Sequence, residues 1–339
     1  MTDNILDRIV DDLRNSGSQY FPEHSEVKAA RVVGHTPSPE QYTYEIAVDF
    51  ADGSERVNAK IYRAGKGGAR QPQEIARNEA QNLEFAYEAL SSRELGGVPR
   101  PVGDFAGLGA VVSTKINGLP LQSIILKTAL LPDFGNDGLL EMAARRAGEW
   151  LQHFHRATAA IPAPFDADSF LAGMEKLCSK ARKNGLPEES TDAIFGHART
   201  TLGTLGGPLH SSAVLHDFVP LNVLISESGV GFCDFANLRP SGHSLEDVAI
   251  FLAAIEALEK YPFCDRRITT LIQDTFMEAY GVNEQEQDLL SVLKMKVLLQ
   301  MFAQGRAVKE SGVRKQVMWA NVMKRFIQQA TERSMARAA

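Results

Sequence analysis

Two polar side chains interrupt the apolar stretch VLHDFVPLNVLI at residues 214–225, where Asp217 and Asn222 stand five positions apart. Burying an unpaired polar group costs roughly 1–3 kcal/mol, so both side chains need a partner or a ligand. As a structural alternative, Asp and Asn often cap loops by bonding to nearby backbone. A further carboxylate, Asp234, follows in GFCDFANL. Because Mg²⁺ prefers carboxylate and amide oxygens, Asn222 and Asp234 are candidate metal ligands and Asp217 is a candidate base.

A lysine stands among apolar residues earlier in the chain, in VNAKIYR. A cation in an apolar strand is disfavoured unless an anion meets it, so Lys60 needs a partner unless it lies on an edge strand and reaches solvent. Glu79 in RNEAQNLEF is the predicted partner, and Glu74 is the alternative. Phosphoryl transfer needs such a set of residues. It uses a cation on the nucleotide phosphates, a partner that positions it, metal ligands, and a carboxylate that aligns the acceptor hydroxyl.

The elements that must position these residues change character near residue 117. After a helical start, β-branched and aromatic residues predict strands over 27–36 and 42–63, a helix over 73–90 and a strand over 107–116. Beyond that point the pattern is mainly helical, most clearly over 139–158, with a strand pair over 222–236 and helices from Leu245 onwards. We therefore predict an N-terminal nucleotide-binding lobe over 1–117 and a helical C-terminal lobe over 118–339 that carries the catalytic loop and the acceptor site.

With these residues in this order, the chain resembles the aminoglycoside phosphotransferase and choline kinase family, relatives of the protein kinases, over about residues 25–282. The catalytic loop of that family reads H-G-D, four further residues and N, and LHDFVPLN offers Asp217 and Asn222 at that spacing. DFA corresponds to the metal-binding D-F-G, and VNAK to the V-A-I-K strand. The resemblance implies that Asp217 is the base, Asn222 and Asp234 bind Mg²⁺, and Lys60, paired with Glu79, neutralises the phosphates of ATP.

Further nucleotide contacts are implied by the same resemblance. VVSTKINGLPL resembles the hinge that receives adenine through main-chain groups, which points to Thr114 and Ile116. GHTPSPEQY takes the place of a glycine-rich phosphate loop, with Ser38 as a candidate phosphate contact. HSLEDVAIFL resembles the segment in which an acid, here Asp247, braces the catalytic loop. The implied cofactors are ATP and Mg²⁺.

Three positions depart from the family pattern. Leu215 stands where the family has His, and His216 stands where it has Gly, so the usual histidine support of the loop is absent or rebuilt from a neighbouring position. Ala236 replaces the Gly of D-F-G and restricts the backbone there. These changes affect the expected efficiency more than the expected fold.

Other polar residues have structural interpretations. His155 lies at the end of an amphipathic helix and is predicted to be structural, and His216 is predicted to pack. Arg266 and Arg267 are predicted to be a solvated helix start, with binding of an anionic acceptor as the alternative.

Composition narrows the class of protein. The 339 residues carry 36 basic and 42 acidic side chains, and the net charge of −6 argues against a protein that binds nucleic acid through overall positive charge. The longest apolar runs fall short of the ~20 residues that a transmembrane helix needs. The N-terminal residues lack the basic and apolar regions of a secretory signal. Cys178, Cys233 and Cys264 have no metal-ligand spacing, which favours core thiols in a reducing cytoplasm.

Together these observations predict an α+β, bilobal protein-kinase-like fold with a small antiparallel-sheet N-lobe and a larger, mainly helical C-lobe. The predicted function is ATP- and Mg²⁺-dependent transfer of the γ-phosphate to a hydroxyl of a small molecule, with a sugar or glycoconjugate favoured over an amino-alcohol. A segment for docking a peptide, ending in A-P-E, is missing after Asp234. The alternatives are a pseudokinase that acts as a scaffold or regulator, and an unusual protein kinase. Residues 122–138 are predicted to form a lid or an acceptor wall.

Overall fold

The computed structural model describes residues 2–64, 71–93, 95–130, 137–227, 229–260, 264, 266–304, 324, 327–328 and 331–332. The chain divides into two compact units. The first contains Met1–Leu119 and Leu224–Arg239, and the second contains Pro120–Val223 and Pro240–Ala339. The returning segment, which carries Asp234, thus belongs to the first unit, whereas the sequence division at residue 117 places it with the helical part.

Nine helices and ten strands are defined within the described residues. The helices are α1 (Thr2–Tyr20), α2 (Pro72–Ser91), α3 (Leu121–Leu130), α4 (Asp137–Ala157), α5 (Ala167–Lys183), α6 (Glu188–Thr204), α7 (Leu245–Glu256), α8 (Arg266–Tyr280) and α9 (Glu284–Gln304). The strands are β1 (Val27–Pro37), β2 (Gln41–Phe50), β3 (Ser54–Tyr62), β4 (Ala110–Thr114), β5 (Leu119–Pro120), β6 (Ala160–Pro164), β7 (Pro208–Val214), β8 (Val223–Ile225), β9 (Val230–Phe232) and β10 (Arg239–His243).

A four-stranded antiparallel sheet in the order β1-β2-β3-β4 is the centre of the first unit. Side chains of successive strand residues point to opposite faces, so each strand divides its residues between two surfaces. One face is apolar and packs against Ile9 and Leu13 of α1; it includes Ile46, Val48, Val57, Ala59 and Ile61. Lys60 lies on the other face, in a cross-strand row with Thr43 and Val111.

The second unit is mainly helical and contains a three-stranded sheet in the order β10-β7-β6. Its core includes a series of aromatic rings in contact, with centroids 4.0–5.8 Å apart from Phe154 through Trp150, Phe218 and Phe251 to Phe276. No helix of the described residues is both long enough and apolar enough to span a bilayer.

The predicted α+β fold class is confirmed, with a four-stranded antiparallel sheet in the first unit and a mainly helical second unit. The sheet of β6, β7 and β10 was not predicted. Its strands read AIPAP, PLHSSAV and RPSGH, and their Pro, Gly and Ser content hides any alternation of apolar and polar residues. Of the predicted lid at 122–138, residues 122–130 lie in α3 and residues 131–136 lie outside the described residues.

Helices α4 and α8 pack closely at Gly148. A Cβ atom at this position would lie 2.6 Å from the carbonyl oxygen of Phe276 and 3.1 Å from the amide nitrogen of Tyr280. These are backbone atoms, so they cannot move aside as the end of a flexible side chain can. The glycine therefore sets the distance between two helices that also carry His155 and Tyr280.

We predict that Gly148→Ala destabilises the protein although alanine is the better helix former. Overpacking typically costs about 1–3 kcal/mol, which exceeds the roughly 0.5–1 kcal/mol gained from helix propensity. Gly173→Ala in α5 is the matched control, because a Cβ there meets nothing within 4 Å, and it should be stabilising. Urea unfolding of both variants measures the difference. Equal stabilisation by the two substitutions would show that α4 and α8 do not need the close approach.

Candidate active site

A largely buried lysine and two carboxylates form a charged cluster in the first unit. Lys60 Nζ lies 2.6 Å from Glu79 Oε1 and 3.3 Å from Asp234 Oδ1. The Lys60 side chain is 15% exposed and that of Glu79 only 3%, whereas Asp234 remains 29% exposed. The structure therefore brings together three of the residues singled out from the sequence. Glu74, the alternative partner, is exposed.

Glu79 is satisfied on several sides. Its carboxylate also accepts hydrogen bonds from the Tyr62 hydroxyl and from the backbone N–H of Phe235. Burial raises the pKa of Glu79, and the charge of Lys60 opposes that rise. Burial alone would lower the pKa of Lys60, but the negative charges of Glu79 and Asp234 outweigh it and raise this pKa above its ordinary value, so the ammonium stays protonated.

Helix α2 also holds the segment that carries Asp234. Asn82 lies three residues after Glu79, on the same side of the helix, and its Nδ2 donates to the carbonyl oxygens of Phe235 at 2.9 Å and Leu238 at 3.1 Å. Next to Asp234, burial raises the pKa of the Cys233 thiol to about 11. That thiol is therefore inert at neutral pH and contributes packing rather than chemistry.

In the second unit, a fully buried carboxylate organises the loop after β7. The two oxygens of Asp247 accept the backbone N–H groups of Leu215 and His216, each at 2.7 Å. Asp247 is 0% exposed. This is the bracing role that the resemblance implied for Asp247, and it is made entirely through main-chain donors.

The loop bends sharply at His216, whose φ is +59°, the one positive value among the described non-glycine residues. This left-handed conformation suits glycine, and His is among the residues that tolerate it better than most. The left-handed backbone at His216 therefore explains why glycine is the residue expected at this position. Ala236 in DFA has no positive φ, so its Cβ adds no strain of that kind.

A buried histidine, His155, is a further hydrogen-bond partner of Asp247. His155 Nε2 lies 3.1 Å from Asp247 Oδ2, and its Nδ1 lies 2.8 Å from the Tyr280 hydroxyl. A carboxylate only accepts, so Nε2 carries the proton and, in the neutral ring, Nδ1 accepts from Tyr280. Burial raises the pKa of Tyr280, which keeps this donor protonated. His155 is structural, as predicted, and its position shows which group it supports.

The loop from Asp217 to Asn222 closes on itself. Asn222 Nδ2 donates to the Asp217 carbonyl oxygen at 3.0 Å, and the Val219 N–H donates to the same oxygen at 2.7 Å. Phe218, between them, is fully buried in the aromatic core. The amide nitrogen of Asn222 thus has the loop-capping role foreseen as an alternative. This bond uses the amide nitrogen, whereas the amide oxygen is the atom that a hard cation prefers.

Metal ligation can be tested against these contacts. Within the described residues no group of three or more His, Cys, Asp or Glu side chains has the arrangement of a metal site. Asp234 accepts hydrogen bonds from Lys60 and from the N–H of Ala236 through Oδ1, so Oδ2 is its candidate ligand atom. A carboxylate oxygen suits Mg²⁺, which typically binds one or two carboxylates together with substrate phosphates and water.

The remaining predicted contacts lie in two places on the first unit. Thr114 ends β4, where its Oγ1 accepts the N–H of Arg100 at 2.8 Å, and Ile116 follows outside any strand with its side chain against Gly231. Ser38 closes the turn between β1 and β2. Its hydroxyl donates to the Gln41 carbonyl at 3.0 Å and accepts the Gln41 N–H at 3.1 Å. A phosphate contact by Ser38 would require one of these bonds to be exchanged.

Arg267, in the pair considered for an anionic acceptor, forms a surface ion pair. Its Nη1 lies 2.8 Å from Asp137 Oδ2, with both side chains about half exposed or more, and Arg266 is exposed beside it. A pair of this kind contributes about 0–1 kcal/mol. The geometry favours the solvated helix start.

Sequence reasoning missed three supporting residues: Tyr62, Asn82 and Tyr280. Tyr62 lies two residues after Lys60 on the same face of β3, and Asn82 lies one helical turn after Glu79, so periodicity could have indicated both. Tyr280 lies 125 residues beyond His155, and no local pattern links the two.

No protein-family model and no curated protein sequence matches this chain. Several solved structures do share its fold. A glucosamine kinase is 16% identical, covers 91% of this chain and 95% of its own, and has a TM-score of 0.58. A choline kinase from Cryptosporidium parvum Iowa II is 12% identical over 98% of this chain and 97% of its own, with a TM-score of 0.58. A GDP complex of an aminoglycoside 2′-phosphotransferase is 14% identical over 96% and 100%, with a TM-score of 0.55.

The chain thus has the fold of the protein-kinase-like phosphotransferases, and the resemblance inferred from the sequence is confirmed at the level of the fold. At identities of 12–16% the likeness extends to the architecture and not to particular residues. The case for this chain's chemistry therefore depends on its own residues.

We predict that His216→Gly keeps or raises the stability of the protein, whereas His216→Val lowers it. A left-handed conformation costs a residue with a Cβ roughly 1–2 kcal/mol, most for a β-branched side chain, and costs glycine nothing. Chemical denaturation of the two variants against the parent measures the effect. Equal stability of the glycine and valine variants would mean that the turn does not require a positive φ.

Proposed function

We propose that the protein is an ATP- and Mg²⁺-dependent phosphotransferase that moves the γ-phosphate to a hydroxyl of a small molecule, a sugar or glycoconjugate in the first place. The observation that carries the proposal is the network of Lys60, Glu79 and Asp234. The fold supports it, because kinases of glucosamine, choline and aminoglycosides share the architecture.

The charges of the network do not balance. One ammonium faces two carboxylates, and Glu79 is almost completely buried, so a net negative charge is left at a poorly solvated place. Buried charge that is uncompensated is costly. A divalent cation beside Asp234 would reverse the sign of the site and draw in the phosphates of a nucleotide. A purely structural ion pair has no need of the second carboxylate.

Each residue then has a stated task. Glu79 holds Lys60, and Lys60 neutralises phosphate oxygens of ATP. Asn222 and Asp234 hold the metal, which when bound neutralises the charge that develops on the transferring group. Thr114 and Ile116 receive the base through main-chain groups, and Ser38 contacts phosphate after exchanging a bond of its turn.

Asp217 accepts the proton of the acceptor hydroxyl. The acceptor oxygen forms a bond to the γ-phosphorus as the bond between that phosphorus and the bridging oxygen of ADP breaks. The position of Asp217 depends on its neighbours, because Asp247 holds the two preceding amides and the following residue, Phe218, is buried in the core. Such positioning is a principal contribution of the protein to phosphoryl transfer.

The proposal includes a small-molecule acceptor and a cytoplasmic location. The fold relatives include kinases of small molecules, glucosamine and choline, and the net charge of −6 does not favour a nucleic-acid partner. The three cysteines form no disulfide bond, which suits the reducing and ATP-rich cytoplasm.

Two substitutions separate binding from chemistry. Asp217→Asn should bind MgATP as the parent does, seen as an increase in melting temperature, while phosphoryl transfer to a panel of sugars and amino-alcohols falls by roughly two to four orders of magnitude. Asp234→Asn should lose most of the metal-dependent part of the shift, because an amide is a poorer ligand for Mg²⁺ than a carboxylate.

The outcomes decide between functions. A parent protein that shows no thermal shift with millimolar MgATP is not a kinase. A shift without ATP consumption across the acceptor panel would favour the pseudokinase, and autophosphorylation would favour a protein kinase. Full activity of Asp217→Asn would show that Asp217 caps the loop and is not the base.

The pairing of Lys60 with Glu79 is tested by a double-mutant cycle. Lys60→Ala and Glu79→Ala should each raise the KM for ATP or lower kcat, and the double variant should be little worse than the worse single variant, since the two residues act as a unit. Losses that add fully would contradict the pairing. Glu74→Ala is the control, because that exposed residue of the same helix should leave the kinetics unchanged.

A further inference from the structure

The sheet of the first unit carries an unexpected polar row on the face of Lys60. Pairing in register aligns Gly34, Glu45, Asn58 and Ser113 across all four strands. Paired residues share a face, and Glu45 and Asn58 lie two residues from Thr43 and Lys60, so the row is on the lysine face, about 7 Å further along the strands. Glu45, Asn58 and Ser113 are all only partly buried.

Glu45 is held in place at this row. Its Oε2 accepts a hydrogen bond from Lys115 Nζ at 2.8 Å, and its Oε1 lies 3.6 Å from Arg56 Nη1. Gly34 makes room for it, because a Cβ on Gly34 would lie 3.3 Å from the Glu45 Cβ and 3.5 Å from Oε2. The Glu45 side chain keeps 28% of its surface exposed, so the carboxylate is fixed without being enclosed.

The row lies between the two places assigned to the nucleotide. Lys60 marks the phosphate end. Lys115, which lies between Thr114 and Ile116, marks the hinge, and its N–H donates to the Arg56 carbonyl at 2.8 Å in the next row of the sheet. A nucleotide that spans these two ends would present its nucleoside to the intervening row. A flat apolar base gains little against a carboxylate, whereas hydroxyl and amine groups are good donors to one.

We propose, on the basis of the function proposed above, that Glu45 is a specificity-determining residue of the nucleotide site. It accepts hydrogen bonds from donor groups of the nucleoside, namely the sugar hydroxyls or the base amine. Lys115 and Arg56 position the carboxylate, and Asn58 and Ser113 extend the polar surface beside it. The site thus selects nucleosides by their donors rather than by apolar burial alone.

The test compares the apparent dissociation constants of Mg²⁺ complexes of ATP, 2′-deoxy-ATP, 3′-deoxy-ATP and purine-riboside triphosphate. The deoxy analogues lack one sugar hydroxyl each, and the last analogue lacks the base amine. The parent should bind at least one of the three roughly tenfold or more weakly than ATP, as expected for a lost bond to a charged acceptor. In Glu45→Gln that ratio should fall towards one.

Asp49→Asn is the matched control. Asp49 lies on the same strand and face, about 13 Å from Glu45, and is paired with Arg31 at 3.1 Å in the same kind of cross-strand ion pair. It should leave the ratio unchanged. Lys115→Met, which removes the positioning cation and keeps the stem, should reduce the ratio in the same direction as Glu45→Gln.

The possible results are separable. Equal weakening of all four nucleotides in Glu45→Gln, or the same change in Asp49→Asn, would overturn the role of Glu45, and so would a parent that binds the four alike. In each case the proposed phosphotransferase would stand. A parent that binds no MgATP would overturn the proposed function and this role together.

Discussion

A carboxylate with no exposure to water, that of Asp247, is the constraint on which the loop at residues 215–222 depends. A buried carboxylate is stable only where its oxygens are filled with donors, and here two backbone amides and a histidine fill them. For both amides to point at one side chain, the chain must turn sharply at His216, which explains the left-handed backbone there. The direction in which the following residue, Asp217, leaves the turn is thus decided by the interior of the helical unit.

The network around Asp247 and the network around Lys60 differ in whether their charged groups are fully compensated. Around Asp247 every group has a partner, ending at the buried Tyr280 hydroxyl, so the network is closed. Around Lys60 two carboxylates meet one cation, and one of them, Asp234, is still partly exposed. A closed network gives rigidity, while a network that lacks one positive charge is suited to receive a cation.

This division also accounts for the unusual loop sequence. Asp247 accepts hydrogen bonds from main-chain N–H groups, which every residue except proline has. These two bonds are therefore kept when Leu215 and His216 stand in place of the usual His and Gly. The Leu215 side chain is fully buried and packs in the core instead. Architecture held by backbone contacts and apolar packing can persist while side chains diverge, as the 12–16% identities to structures of the same fold illustrate.

The sequence by itself determined the elements whose pattern is local. Alternation along β2 and β3, and helical spacing in α1, α2 and α4, followed from the chemistry of neighbouring residues, and the types and order of Lys60, Asp217, Asn222 and Asp234 indicated phosphoryl transfer. Only the tertiary structure determined the contacts between residues that are far apart in the sequence. It selected Glu79 over Glu74 because only Glu79 lies on the buried side of α2, it joined His155 to Asp247 and Tyr280, and it moved residues 224–239 into the first unit. The proline-containing strands β6, β7 and β10 form a sheet because neighbouring strands supply their hydrogen bonds. Pairing between strands that are far apart in the sequence cannot be recognised from the local sequence.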